Sequence, residues 1–268
     1  MNVKLITLAG SGLALLAASV SAQTLIHRYD FNNDAVDSIG SLDGTLSTDD
    51  APNNIEAPNF TSNTPTGADT SFADGSIELG MNESTTASFF NFGATTLFDG
   101  ETGSISYWFN TDTLGGELST VVNELRVISI GNAGLRLTGN AVDSFPQDFF
   151  AGSITNGQWN HLVLTWNDPA GQGTIALNGT TATYDQPNPG DLTNGSRFIF
   201  GNFTVTDASL QTQFDGEFYD LQIYDDELSA AQVTQLYNNP GTAIPEPSSF
   251  ALLAGGLALT SLMLRRRR

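Results

Sequence analysis

The chain reads as an all-β protein, a two-sheet antiparallel sandwich with one short helix near its C-terminus. Two strictly alternating runs, an Asn-Gly step between β-prone segments, and turn residues in the gaps between them predict this class. In 103–110, Ile105, Tyr107 and Phe109 share one face while Ser104, Ser106 and Trp108 share the other. Along 159–167, Leu162, Leu164 and Trp166 again fall on one side. A period of two marks a strand, because successive Cβ atoms leave a pleated backbone in opposite directions.

The other elements follow in chain order. Residues 46–74 are poor in apolar side chains and rich in Asn, Thr, Pro and Asp, so they read as one long loop or insertion. Beyond the alternating runs, Thr174–Leu177 and Thr180–Tyr184 flank Asn178-Gly179. That dipeptide predicts a type I′ hairpin, whose two central residues both need positive φ. Segments 197–203 and 213–224 are further strands. A helix is expected from Ala230 to Asn238: Ser229 and Gln232 have capping-box spacing, and Leu228 with Val233 makes the hydrophobic staple. Val233, Leu236 and Tyr237 give it one apolar side, and Asn238-Asn239-Pro240-Gly241 stops it.

Both ends carry address signals. Met1–Lys4 is a short basic region, Leu5–Ala18 is apolar, and Val20-Ser21-Ala22 is a small-residue cleavage triplet. Together they predict a signal peptide over 1–22, cut between Ala22 and Gln23. The body then spans 23–240, and a linker over 241–247 contains Pro245, Glu246 and Pro247. Residues 248–264 form an uncharged apolar run at the short end of what crosses a bilayer as a helix. Arg265, Arg266, Arg267 and Arg268 follow it, and the positive-inside rule keeps them cytoplasmic with the body exported. Pro-Glu-Pro, an apolar span and terminal arginines, paired with a signal peptide, resemble the PEP-CTERM sorting signal of Gram-negative bacteria. The resemblance implies signal peptidase and an exosortase-type membrane protease as processing partners. It also implies a chain first anchored by its C-terminal transmembrane helix, then delivered to the cell surface or the extracellular matrix.

Once the targeting ends are set aside, the body holds 28 acidic residues against Arg28, Arg126, Arg136 and Arg197, a net charge of −24. Such a surface repels DNA, RNA and anionic lipid, so no nucleic-acid partner is expected. Lysine is absent from the body. The chain has no cysteine, which excludes disulfides, thiolate catalysis and thiolate metal sites. A body of this length buries a core without staples and suits one all-β domain.

Trp159-Asn160-His161-Leu162-Val163-Leu164-Thr165-Trp166, followed by Leu177-Asn178-Gly179, resembles the paired motifs of concanavalin-A-like jelly rolls, the laminin-G-like branch most of all. Phe214 to Tyr224, then Leu228-Ser229 and the helix, is similar to that branch's closing strand and C-terminal helix. His27 to Asn32 with Asp37-Ser38 is similar to its opening strand and first loop. The resemblance implies a two-sheet antiparallel jelly roll over 23–240. Its relatives mostly bind carbohydrates or proteins, often with calcium, and some cleave glycans.

Trp108, Trp159 and Trp166 have faces suited to sugar rings, although alternation assigns Trp166 to the core with Leu162 and Leu164. His161 reads as a buried, hydrogen-bonded histidine and His27, beside Arg28, as half-exposed. Two distant histidines without cysteine do not make a zinc site or a Ser-His-Asp triad. Glycan cleavage uses two carboxylates about 5–9 Å apart. The glucanase relatives place theirs in an E-x-D-x-E array, which fails here because Asp215 and Glu217 share a parity and Asp220 has the opposite one. No catalytic residue is assigned. Asp30, Asn32 and Asp34 have D-x-N-x-D spacing that Asp37 or backbone carbonyls would complete as a site for one structural calcium ion. An EF-hand itself fails, with Ala35 in place of glycine and Ser41 in place of the closing glutamate. Asp225-Asp226-Glu227 is a second cluster, and Asp220 has the alternative role of tying down the closing strand. The expected function is an exported surface domain that binds or scaffolds extracellular polysaccharide without catalysis. A structural or protein-adhesive domain and a divergent glycan-cleaving enzyme are the alternatives.

Overall fold

The structure is a computed structural model and describes residues 23–48, 59–68, 75–79, 81–82, 86–91, 102–111, 116–121, 126–131, 134–138, 154–185, 198–200 and 216–245. Ala22 and the signal peptide, Arg197, Asp215, Glu246, Pro247, the apolar run 248–264 and Arg265–Arg268 lie outside the described residues. Among the described residues no helix is long and apolar enough to cross a membrane.

Among the described residues, fifteen strands and one α-helix appear in the order β1 Leu25–Tyr29, β2 Thr45–Thr48, β3 Asn59–Thr61, β4 Ser76–Leu79, β5 Met81–Asn82, β6 Thr86–Asn91, β7 Thr102–Asn110 and β8 Gly116–Val121. Then come β9 Arg126–Gly131, β10 Gly134–Thr138, β11 Trp159–Asn167, β12 Gln172–Leu177, β13 Thr180–Asp185, β14 Phe198–Phe200, β15 Gly216–Tyr224 and α1 Ala230–Asn238. They build an antiparallel sandwich. One sheet has eight strands in the order β13-β12-β11-β7-β15-β4-β3, with β1 also on β15. The other has seven, ordered β10-β9-β8-β14-β6-β2, with β5 on β6. Along one edge of β15, β4 pairs with residues 216–219 and β1 with residues 221–224.

The alternating runs became β7 and β11, which pair from Trp159 opposite Asn110 to Asn167 opposite Thr102. Asn178 and Gly179 have φ of 51° and 78°, as a type I′ turn requires. Ser229 and Gln232 close the capping box at the start of α1. The segment 46–74 departs from its prediction as a single loop, since β2 reaches Thr48 and β3 occupies Asn59–Thr61. Both are short strands at sheet edges. Such strands lack a long apolar alternation, so no sequence period reveals them.

Tyr29, Ile77, Ile105, Tyr107, Phe109, Leu162, Leu164, Trp166, Ile175, Leu177, Phe218, Leu221 and Ile223 form the main core on one face of the eight-stranded sheet. Each such side chain contributes roughly 1.5–3 kcal/mol by leaving water. Trp166 fits because its neighbour across the strand pair is glycine: a Cβ on Gly103 would lie 2.1 Å from the indole ring. The opposite face is covered by α1, where Val233 and Leu236 meet Val163, Ala176, Tyr224, Leu228 and Ile244. Both faces of β7 and β11 are therefore buried.

Two features depart from a simple strand reading of the C-terminal part. In β15 the register shifts between Tyr219 and Gln222, and Asp220 sits at φ 50°. This bulge, an extra residue opposite β7, turns Asp220 toward the helix-covered face. There its Oδ1 accepts from Arg28 Nε at 2.8 Å and its Oδ2 from Gln222 Nε2 at 2.6 Å. The parity comparison between Glu217 and Asp220 is corrected accordingly: the bulge cancels their opposite parity. Gly241 to Ile244, read from the sequence as linker, are a strap on the same face. Arg28 Nη2 donates to Gly241 O at 2.7 Å, Gln222 Nε2 to Thr242 O at 3.1 Å, and the Ile244 amide to the Tyr224 hydroxyl at 3.2 Å. The folded body thus continues to Ile244, and exposed Pro245 follows directly.

Candidate functional site: an aromatic cleft beside the C-terminal helix

Beside the last turn of α1, the sheet face is left partly uncovered. The opening is a cleft of about 360 Å³ lined by Pro65, Thr66, Trp108, Gln158, Trp159, Tyr237, Asn238 and Pro240. Trp108 comes from the helix-facing side of β7, Trp159 from the first residue of β11, and Tyr237 from α1. Trp108 stacks on Tyr237 at 5.8 Å with 15° between ring planes, and on His161 at 4.8 Å and 35°. Trp159 meets Tyr219 edge-on at 6.0 Å. Trp108 is buried, whereas Trp159 and Tyr237 keep part of their surface in solvent.

Local chemistry positions each wall. Asn160 ties the approach to β11: its Nδ2 donates to Thr155 O and Gln158 O, and its Oδ1 accepts from the Thr155 amide. Asn178 of the hairpin donates to Asn160 Oδ1 and accepts from the His161 amide. Gly179 leaves room for Tyr237, since a Cβ there would approach the ring to 3.1 Å. On the far side, Glu217 accepts from Thr61 Oγ1, Asn63 Nδ2 and Asn110 Nδ2. These bonds hold the end of β3 and the chain leading to Pro65 and Thr66. Beneath the rim, the buried indole Nε1 of Trp159 and the buried Oδ1 of its cross-strand neighbour Asn110 have no hydrogen-bond partner among the described residues.

His161 lies under the ring stack, with Nε2 at 2.9 Å from Ser106 Oγ. Burial pushes its pKa down to about 3, so at neutral pH the imidazole is an uncharged member of the packing.

The residues expected to hold calcium make hydrogen bonds within the fold. Asp37 is buried, and its carboxylate faces the amides of Arg28, Ile39, Gly40 and Leu42 together with His27 Nδ1 at 2.6 Å. Burial raises its pKa, but His27 and the backbone amides of Gly40, Arg28 and Leu42 outweigh this and leave it below the usual carboxylate value. Both oxygens are thus committed to N–H donors, so Asp37 does not fit as a calcium ligand. It anchors the loop after β1 instead. Asp30 and Asp34 each accept from the amide two residues on, and Asn32 Oδ1 accepts from Asn33. Asp225 accepts from the Thr24 amide, Asp226 from the Glu227 amide, and Glu227 from Thr165 and Asn167. Among the described residues no group of three or more His, Asp or Glu side chains is placed to hold a metal ion. Asp220 occupies a buried ion pair; burial raises its pKa and Arg28 opposes the rise.

Of the three tryptophans weighed for sugar contact, Trp108 and Trp159 meet at the cleft while Trp166 is core. Sequence reasoning placed Tyr237 only on the apolar side of its helix and did not single out Pro65, Thr66, Gln158, Asn238 or Pro240. The one local signal was Tyr237, an amphipathic aromatic in the last turn of an otherwise aliphatic helix face.

Comparison with known proteins followed the same division of the chain. Residues 84–234 match the family model of the concanavalin A-like lectin/glucanases superfamily, and residues 243–268 match the PEP-CTERM protein-sorting motif. Domain 4 of AbnA, an extracellular arabinanase from Geobacillus stearothermophilus solved with arabinotriose, is similar at TM-score 0.59 and 19% identity. The match covers 81% of this chain and 99% of that domain. The botulinum neurotoxin type G receptor binding domain is similar at TM-score 0.53 and 17% identity, covering 80% of this chain and 51% of that one. A type C neurotoxin structure, whose cell entry depends on two ganglioside molecules, gives TM-score 0.53 and 18% identity over 81% and 51%. At these identities the likeness is one of fold. No curated protein matches the chain.

Proposed function

Because the chain belongs to the concanavalin A-like lectin/glucanases superfamily, we propose that its exported jelly roll binds extracellular polysaccharide without cleaving it. The PEP-CTERM motif implies export and membrane-anchored sorting through the C-terminus, with an exosortase-type protease as processing partner. Delivery to the cell surface or matrix would bring the domain among polysaccharides. The observation that carries the reading is the aromatic cleft, whose lining combines Trp108, Trp159 and Tyr237 with neutral amides. Aromatic faces and hydrogen-bonding amides are a suitable combination for sugar rings, which present apolar C–H faces and hydroxyl edges. The lining residues include no carboxylate, which supports binding over hydrolysis, since cleavage uses a pair of them. Arabinotriose in the similar arabinanase domain and gangliosides with the similar neurotoxin add support by analogy of fold.

The test mixes the exported protein with the producing cell's own extracellular polysaccharide, once with calcium and once with chelator. Saturable retention in both buffers is the expected result. Retention only with calcium would bring the Asp30–Asn32–Asp34 loop into the site, with ligands other than Asp37. No retention in either buffer would overturn the reading and favour a protein-adhesive domain, to be sought as self-association. Release of new reducing ends would make the protein an enzyme.

A further inference from the structure

We propose, resting on the polysaccharide-binding reading, that the cleft accepts uncharged glycan chains and rejects acidic ones, and that Glu217 sets this preference. The eight lining residues contain no ionisable group except the Tyr237 phenol. Recognition there is left to aromatic faces and to the exposed amides of Gln158 and Asn238. An amide both donates and accepts, which matches a hydroxyl, and a carboxylate or sulfate can only accept.

The placement of cations gives the second, independent argument. An acidic glycan needs positive charge at its binding site to offset desolvation and the field of a body carrying −24. The body has four arginines and no lysine. Arg28 is buried and paired with Asp220 at 2.8 Å. Arg126 and Arg136 belong to β9 and β10, strands of the seven-stranded sheet, and Arg197 lies outside the described residues. The cleft opens on the face of the eight-stranded sheet that carries α1, and its described lining holds no arginine. An acid is bonded to the residues that support two of its walls. Glu217 is bonded to Asn110, the cross-strand neighbour of Trp159, and to Asn63, two residues before Pro65. A polyanion lying across Trp159 would approach the Glu217 carboxylate and meet no cation among the described lining residues.

The glycan's monosaccharide is not needed for the test. The producing cell's extracellular polysaccharide is separated by anion exchange into uncharged and acidic pools, and each is offered to the full-length exported protein at low ionic strength. The uncharged pool is expected to bind at least tenfold more tightly than the acidic one. Trp159→Ala and Tyr237→Ala are expected to lose tenfold or more for the uncharged pool with unchanged far-UV circular dichroism. Glu217→Gln is expected to shift the ratio of acidic to uncharged binding upward, and added salt to shift it the same way. Equal or tighter binding of the acidic pool by the unaltered protein at low salt would overturn the proposal and leave polysaccharide binding intact. So would uncharged-pool binding indifferent to Trp159→Ala, which would place the sugar elsewhere. Failure to bind either pool would overturn the polysaccharide-binding reading and this proposal with it.

Discussion

On one face of the eight-stranded sheet, Tyr107, Phe109, Leu162 and Trp166 are at most 1% exposed; on the other, His161, Ser106, Thr165 and Gln222 are at most 2% exposed. Equal burial is reached by different physics. The first face is apolar and depends on shape, as the Trp166 ring over Gly103 illustrates. The second buries polar groups and joins them in pairs: Ser106 with His161, Thr165 with Thr174, Arg28 with Asp220, and Gln222 with the strap; His161 Nδ1 is left without a partner among the described residues. A face built from polar side chains can be left open at one end, because polar groups there lose less by meeting solvent than an apolar face would. The cleft lies at such an end, where the cover provided by α1 stops.

The contrast can be broken most severely on the apolar face. Trp166→Ala leaves a cavity over Gly103 and is expected to cost about 3–5 kcal/mol in denaturant unfolding, with little relaxation in a close-packed core. On the helix face the expected failure is electrostatic. Arg28→Ala strands the Asp220 carboxylate and frees the strap at Gly241, at a cost of about 3 kcal/mol. Replacing both partners, as in Arg28→Met with Asp220→Asn, should recover much of that loss; the same doubling cannot rescue Trp166→Ala.

The next effect in size is a pH dependence centred on His161 of the helix face. The folded-state pKa of His161 is about 3, below an unfolded value of about 6.5. Its contribution to stability is therefore complete above pH 6.5 and is lost as pH falls, by about 1.4 kcal/mol per unit. Asp37, held below its usual value, adds a loss in the same direction once the carboxylate range is reached. Asp220, raised, acts in the opposite sense. Melting temperature should fall from pH 6.5 to 5, and His161→Asn should flatten that limb whatever it does to the plateau. The smallest stability effect is expected at the rim. Trp159→Ala should cost about 1 kcal/mol while removing glycan retention, so binding and folding separate there as they cannot at Trp166.

Much of the frame was legible because it rests on local rules. β7 and β11 show the two-residue period, Asn178-Gly179 meets a turn's demand for positive φ, and Ser229 with Gln232 caps a helix within four residues. Other features had no local signal. β2 and β3 are edge strands too short to show a period, and the Asp220 bulge exists only in relation to β7. Asp37 was a candidate to complete a calcium loop, yet three amides of its loop and one of β1 surround its carboxylate. Half of the cleft was hidden for the same reason. Trp108 and Trp159 were visible as aromatic candidates, but Tyr237, Pro65 and Pro240 reach them from positions tens of residues away.

The amino-acid sequence by itself determined the address and the class. The sorting signals, the acidic body without lysine or cysteine, and the strand periods depend on composition and near neighbours, which a linear string displays in full. Only the tertiary structure decided which of the acids were spent on the fold and which aromatics met. Those outcomes depend on residues far apart in the chain becoming neighbours, on the Arg28–Asp220 pair across 192 positions and on a helix end laid beside two tryptophans. Burial then fixed their chemistry, holding His161 neutral and the strap down to Ile244, and among the described residues it left a stretch of sheet open as the aromatic cleft.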